Sequence, residues 1–241
     1  MADRQLIVNA DDFGQSLPIN RGVIEAHERG IVTSASLMVR WPAAADAAAC
    51  VRSRPGLSVG LHVDLGEWAS DGGAWRPRYE VTAVDDPDAV RDEISRQVVR
   101  FQELLGRDPT HLDSHQHVHR REPVRSVVRA AASALGVPLR EADPRVRYSG
   151  AFYGQTEDGK PWPDAITVDG LIQTLEALPP GITELGCHPG YAGDLDTTYD
   201  KERTLELATL CDPRVRHVLA RLQIRLISFR DVIGALVGRD A

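Results

Sequence analysis

Short apolar runs alternate along this chain with helix-like stretches. Runs rich in Val, Ile and Leu fall at residues 6–10, 31–39, 57–65, 110–117, 137–140, 183–188 and 224–227, and each reads as a strand. Residues 19–29 read as a helix stopped by Gly30. An Ala-rich helix follows from Pro42, in a first turn where a proline fits. The clearest helix is capped by Asp86, opened by Pro87 and closed by Gly106. A further helix ends at Gly136 and another spans residues 167–178. Two more precede the last strand, and a final one has Ser228 as its candidate cap.

Alternation of this kind, about seven times over, makes parallel strands covered by helices. The expected fold is α/β, a barrel-like sheet of about seven parallel strands in one domain over residues 1–241. No GxGxxG follows the first strand, which argues against a dinucleotide-binding open sheet. No linker, internal repeat or low-complexity segment divides the chain. Two segments fall outside the alternation: a loop holding Trp68 and Trp75, and a polar, aromatic loop holding Tyr148, Phe152, Tyr153 and Trp162.

Composition narrows the classes. With 241 residues, 42% hydrophobic and 26% charged, the chain is ordinary for a soluble globular protein. A net charge of −7 and the lack of any Lys/Arg run exclude a phosphate-tracking stripe, so no nucleic-acid partner is expected. Cys50, Cys187 and Cys211 are odd in number and widely spaced, which reads as reduced thiols and not as a disulfide framework. The first residues lead into an apolar run far short of a signal-peptide core. Nowhere do about 18 apolar residues run together. A cytoplasmic protein without membrane attachment is the expectation.

In parallel α/β folds reactive residues gather at the carboxyl ends of strands. Strand one here runs into Asn9-Ala10-Asp11-Asp12-Phe13-Gly14, and strand three carries His62 and Asp64. Strand four runs into Asp113-Ser114-His115-Gln116-His117-Val118-His119, and strand six into Cys187-His188-Pro189-Gly190-Tyr191. Of eight histidines, His111, His115, His117 and His119 lie within nine residues, too dense for scattered surface positions. His27, on a helix, and His217, in a polar stretch, read as structural. If the fourth segment stays extended, Asp113, His115, His117 and His119 share one face. At about 3.3 Å per residue His115 and His119 are then roughly 13 Å apart. One ion takes one or at most two of them unless the chain turns, and the rest line the pocket or orient ligands. A carboxylate and imidazole set suits zinc, or a harder divalent ion, with positions open for water and substrate. Side chains of adjacent strand residues diverge, so one of Asp11 and Asp12 can hold an ion while the other takes a proton from its water. The plainer alternative is a turn-forming pair before Gly14.

At these residues the chain resembles the YdjC-like carbohydrate deacetylases, which include bacterial chitooligosaccharide deacetylases. The matching stretches are Leu6-Ile7-Val8-Asn9-Ala10-Asp11-Asp12-Phe13-Gly14, Gly30-Ile31-Val32-Thr33-Ser34, Gly60-Leu61-His62, Pro109-Thr110-His111-Leu112-Asp113-Ser114-His115-Gln116-His117-Val118-His119 and Cys187-His188-Pro189. The resemblance implies a distorted βα barrel akin to the polysaccharide deacetylases. It implies one divalent metal ion, Mg²⁺ or Zn²⁺, on Asp12, His62 and His115, with Asp11 as general base and His188 as general acid. The implied reaction removes an acetyl group from an N-acetylated saccharide of the N-acetylglucosamine or chitooligosaccharide type. The implied partner is a small acetylated saccharide, with a homodimer left open. Residues 66–86 and 142–165 match poorly and are expected to shape the sugar subsites, with Trp68, Trp75, Tyr153, Trp162 and Tyr191 as stacking candidates. The competing readings are a metal-dependent phosphoesterase and a sugar-binding protein with a structural metal.

Overall fold

A strand covered on both faces has no solvent side for polar residues to occupy, so it reads as a continuous apolar run. β1 (Arg4–Phe13) is such a strand, buried along all but its first two residues. A computed structural model describes residues 3–71, 74–156, 159–193, 195, 197 and 199–237. After β1 come α1 (Leu17–Glu28), β2 (Ser34–Leu37), α2 (Ala44–Arg52), β3 (Ser58–Val63), β4 (Gly66–Asp71), β5 (Ala74–Glu80) and α3 (Pro87–Leu105). β6 (Leu112–Ser114), α4 (Val124–Leu135), β7 (Val146–Ser149), α5 (Val168–Glu176), β8 (Gly181–Cys187), α6 (Lys201–Leu210), α7 (Pro213–Arg221), β9 (Ile224–Leu226) and α8 (Phe229–Val237) complete the order.

Seven strands form one parallel sheet in the order β6-β3-β2-β1-β8-β7. β9 pairs with Arg4–Leu6 of β1, and β2 takes over from Asn9 onward. Among the described residues no ladder joins β6 to β7, so the sheet curls into a half-barrel and does not close. The expected α/β barrel of about seven parallel strands is borne out. The caps agree too: Asp86 accepts from the backbone of Asp88 and Ala89, and Gly106 ends α3 in left-handed backbone.

Four expectations need correction. Residues 137–140 form no strand; Leu139 makes a lone bridge to Leu112, and the strand beside β8 is β7, drawn from the segment read as loop. Three apolar residues ended by a charge are too short a run to separate from a buried turn by periodicity. β2 keeps only Ser34–Leu37 of the run at 31–39. β6 ends at Ser114, where a tight 3₁₀ turn over His115–Arg120 replaces the extended continuation. The Trp68 and Trp75 loop is the antiparallel hairpin β4–β5.

Close approach of β3 to its neighbour depends on Gly60. A Cβ there would lie 2.4 Å from the His111 ring.

Candidate active site

The carboxyl ends of β1, β3, β6 and β8 open into one cleft of ≈ 1430 Å³, with Asp11, Asp12, His62, His115 and His188 along its floor. Asp12, His62 and His115 come together there, each offering a ligand atom within 4.8 Å of the others. Asp12 has φ 61, a left-handed backbone at the end of β1. Its Oδ1 lies 3.1 Å from His115 Nδ1 and 3.4 Å from His62 Nε2, while Oδ2 accepts from Arg203 Nη2 at 2.7 Å. The β3–β6 register sets His62 opposite Asp113, and His62 Nδ1 meets Asp113 Oδ1 at 2.8 Å. With Nδ1 so held, Nε2 is the nitrogen His62 presents to the cleft, the way a carboxylate fixes a metal-ligating ring. His115 Nε2 lies 3.6 Å from Glu67 Oε2 on β4 and is buried without a hydrogen-bond partner among the described residues.

Burial opposes charge on both rings, yet the surrounding carboxylates prevail. Asp113 and Asp11 hold His62 well above the usual imidazole range. The hydrogen bond to Asp12 and the nearby Glu67 carboxylate push His115 up to about 9. Asp12, against its burial, is held well below the usual carboxylate range, chiefly by Arg203. Two imidazolium charges among these carboxylates match the charge of one divalent cation. Donor set, spacing and charge therefore fit such an ion.

Asp11 and Asp12 do diverge, as adjacent strand residues should. Asp11 turns to Arg140, whose Nη1 and Nη2 donate to its two oxygens at 2.7 Å each. The Arg140 side chain has no exposure and also reaches Asp113 at 2.8 Å and Glu184 at 2.7 Å. A guanidinium removed from water persists only when paired in this way. Burial raises the Asp11 carboxyl and Arg140 lowers it; the balance lies below the ordinary value, so Asp11 stays ionised. Burial outweighs Arg140 at Glu184, which is pushed up to about 7.

Across the cleft, His188 Nε2 lies 3.9 Å from Asp11 Oδ2. His188 follows β8, where its backbone N–H donates to Glu206 Oε2. Its Nδ1 has no hydrogen-bond partner among the described residues and lies 3.8 Å from Glu206 Oε1. The segment is pressed against α1, since a Cβ on Gly22 would fall 2.5 Å from Gly190 Cα. Tyr153 and Tyr199 pack on the His188 ring with centroids 5.2 and 5.3 Å away.

The five expected site residues thus face one cleft, and other singled-out residues do not join them. Asp64 anchors the hairpin, accepting from Tyr79 Oη at 3.0 Å and from Trp41 Nε1 and Arg40 Nη1 at 3.2 Å. His111 is buried on the same face as Asp113 but deeper, stacked on Phe229 with ring centroids 3.8 Å apart and 3.0 Å from Ser36 Oγ, which also donates to Asp113. Burial lowers it to about 4. His117 and His119 turn away from Asp12 toward Glu141. Of the stacking candidates, Trp68, Tyr153 and Trp162 line the cleft. Tyr191 instead donates to Glu25 on α1, and the Trp75 side chain lies outside the described residues.

Sequence reasoning missed Arg140, Arg203, Glu67 and Glu206. Single arginines and glutamates carry no local signal in a chain with 28 basic and 35 acidic residues. Arg140 had one faint mark, a charge ending an apolar run. The hairpin that carries Glu67 had a better one, Asp71-Gly72-Gly73, a tight-turn sequence.

Residues 5–221 match the sequence profile of the family described as YdjC-like protein. A chitooligosaccharide deacetylase of Serratia marcescens is 34% identical over 258 residues, covering 95% of this chain and 100% of the relative. A carbohydrate deacetylase of Geobacillus stearothermophilus is 33% identical over 249 residues, covering 95% and 98%. Among solved structures, a candidate cellobiose-phosphate cleavage protein of Enterococcus faecalis has a TM-score of 0.77 at 24% identity, covering 96% of this chain and 99% of that one. A family 4 carbohydrate esterase of Streptomyces lividans in complex with acetate has a TM-score of 0.53 at 15% identity, covering 95% and 93%. Both structural likenesses bear on the fold, and the expected distorted βα barrel agrees with them.

Proposed function

This chain belongs to the YdjC-like protein family, and on that footing we propose that it is a metal-dependent hydrolase removing an acetyl group from an N-acetylated saccharide. One observation carries the reading. An Asp-His-His set with an orphaned imidazole nitrogen shares a cleft floor with an ionised aspartate and an accessible histidine. In this reading Asp12, His62 and His115 hold one divalent ion, Zn²⁺ or Mg²⁺, and the two imidazoles favour Zn²⁺. A divalent ion bound there supplies Lewis-acid polarisation of the acyl oxygen and lowers the pKa of water.

The chain's own groups do the proton work. Asp11, ionised beside Arg140, takes the proton of the attacking water on Oδ2, the oxygen that faces His188. His188 Nε2 delivers a proton to the departing sugar nitrogen as the carbon–nitrogen bond breaks, giving acetate and a free amine. Asp113 keeps the His62 ring in one orientation, and Arg203 does the same for the Asp12 carboxylate.

The substrate class we infer is a small saccharide of the N-acetylglucosamine or chitooligosaccharide type. The relatives' names and the cleft-lining Trp68, Tyr153 and Trp162 support it. The described helices include none long and apolar enough to cross a membrane, and the three cysteines are free, which suits a reducing cytoplasm. Mass spectrometry after incubation with acetylated mono-, di- and trisaccharides tests the reading. Loss of a single acetyl group from at least one is the expected result. Metal-dependent cleavage of a phosphate ester, with no saccharide deacetylated, would reject it.

A further inference from the structure

Beyond Ser114 the chain bends in a way no strand or helix requires. Gln116 and His117 sit at φ 49 and 53, and Glu141 sits at φ 61. Left-handed backbone is uncommon for non-glycine residues and is held in place by its surroundings. The bend sets the rings of His117 and His119 against Glu141. Each ring is fixed through one nitrogen by a hydroxyl: His117 Nε2 lies 3.3 Å from Tyr148 Oη, and His119 Nδ1 lies 2.6 Å from Ser114 Oγ. With protons on those two nitrogens, donated to the hydroxyls, the opposite nitrogens are left as lone pairs.

Those opposite nitrogens, His117 Nδ1 and His119 Nε2, are both buried without a hydrogen-bond partner among the described residues. Unpaired buried nitrogens are costly and ask for a reason. Both face Glu141 Oε2, at 3.9 and 3.6 Å. The distances are too long for hydrogen bonds. They suit ligand atoms arranged about one ion, and the three residues each offer an atom within 4.8 Å of the others. Arg120 grips Glu141, with Nη2 2.8 Å from Oε1 and Nε on Oε2. A carboxylate oxygen keeps a second lone pair, so the grip orients Glu141 without exhausting it.

We propose that His117, His119 and Glu141 form a second binding site, for a divalent transition-metal ion of the zinc class, separate from Asp12, His62 and His115. Two neutral imidazoles and one carboxylate are a zinc donor set that leaves a position open. His117 and Glu141 line the cleft, so the open position faces it. One carboxylate, shared with a guanidinium, attracts a cation less than the several carboxylates of the first cluster. The second site therefore fills after the first. This inference does not depend on the deacetylase reading.

The test titrates the full-length protein, stripped by chelator, with Zn²⁺ alone, following heat and bound metal. Two equivalents per chain are expected, the second at least about tenfold weaker, as one shared carboxylate implies. His117→Ala and Glu141→Gln, at partly exposed positions, should each abolish the weaker equivalent and spare the tighter. His115→Ala should do the converse. A single equivalent in the unaltered protein overturns the proposal, and so does a weaker equivalent that survives both His117→Ala and Glu141→Gln. Acetate release keeps the two readings apart. Failure of the second site leaves one tight equivalent with release intact, whereas two equivalents without acetate would fail the deacetylase reading alone.

Discussion

On the cleft floor the buried charges are answered by groups remote in the chain, while the rim that overhangs it is tied mainly to itself. Arg140 joins carboxylates at the ends of β1, β6 and on β8, and Arg203 reaches from α6 to Asp12 on β1. The hairpin β4–β5 forms its own two-stranded sheet, latched to the floor where Gln116 exchanges hydrogen bonds with the Trp68 backbone at 2.9 and 2.8 Å. Beyond β7, residues 150–166 close mostly on near neighbours, as in Trp162 N–H to Gly154 O at 2.6 Å and Lys160 N–H to Thr156 Oγ1 at 3.1 Å. Sheet register fixes the floor, because a one-residue slip would turn every side chain to the other face. The rim carries no such constraint, so it can be rebuilt for another sugar without moving the chemistry.

The sharpest way to break this contrast is on the floor. Asp11→Asn should keep bound metal and lower turnover by about 10²–10⁴-fold, the usual worth of a general base. The fold should survive, since Arg140 still has Asp113 and Glu184. Near-normal acetate release by the variant would remove Asp11 from the reaction.

Behind the floor, His111 gives a pH signature. Its pKa falls from 6.5 to about 4 in the folded protein. The folded state refuses a proton that the unfolded chain accepts, so the His111 contribution is whole above 6.5 and is lost as pH falls toward 4. Over that window the loss is roughly 3 kcal/mol. His111→Gln should flatten the pH dependence of denaturant-derived stability by about one proton between those values, roughly 1.4 kcal/mol per pH unit. An unchanged slope would mean that His111 titrates normally.

Rim substitutions should act more weakly. Trp162 is 50% exposed at the cleft mouth. Trp162→Ala should raise KM roughly two- to tenfold, about 0.5–1.5 kcal/mol of aromatic contact, and leave kcat unchanged. A drop in kcat with constant KM would place Trp162 with the floor chemistry.

The same division decides what could be read from sequence. Asp11, Asp12, His62, His115 and His188 were legible as candidates because strand ends converge in a parallel sheet, but position in the pattern marked Asp64, His117 and His119 equally. Resemblance to a family then singled out the five and sorted them into roles. The 13 Å estimate for an extended segment held that His115 and His119 could not share an ion unless the chain turned. The chain does turn, at Gln116 and His117, and the turn separates the histidines. Nothing in the residue types there announces left-handed backbone. The partners Arg140, Arg203 and Glu206 were not legible, since each pair joins residues far apart in sequence and depends on tertiary packing. β7 was misplaced because four residues of mixed polarity, Val146-Arg147-Tyr148-Ser149, owe their strand state to pairing with β8.

The central claim is that deacetylation depends on an ion held by Asp12, His62 and His115. The most direct measurement adds Zn²⁺ stepwise to chelator-stripped protein and records the rate of acetate release from an N-acetylated oligosaccharide at each step. The account predicts a plateau at the first equivalent for the unaltered chain, and rates near background at every step for Asp12→Ala, His62→Ala and His115→Ala. Release that needs no added ion, or that persists when those three residues are replaced together, would contradict it.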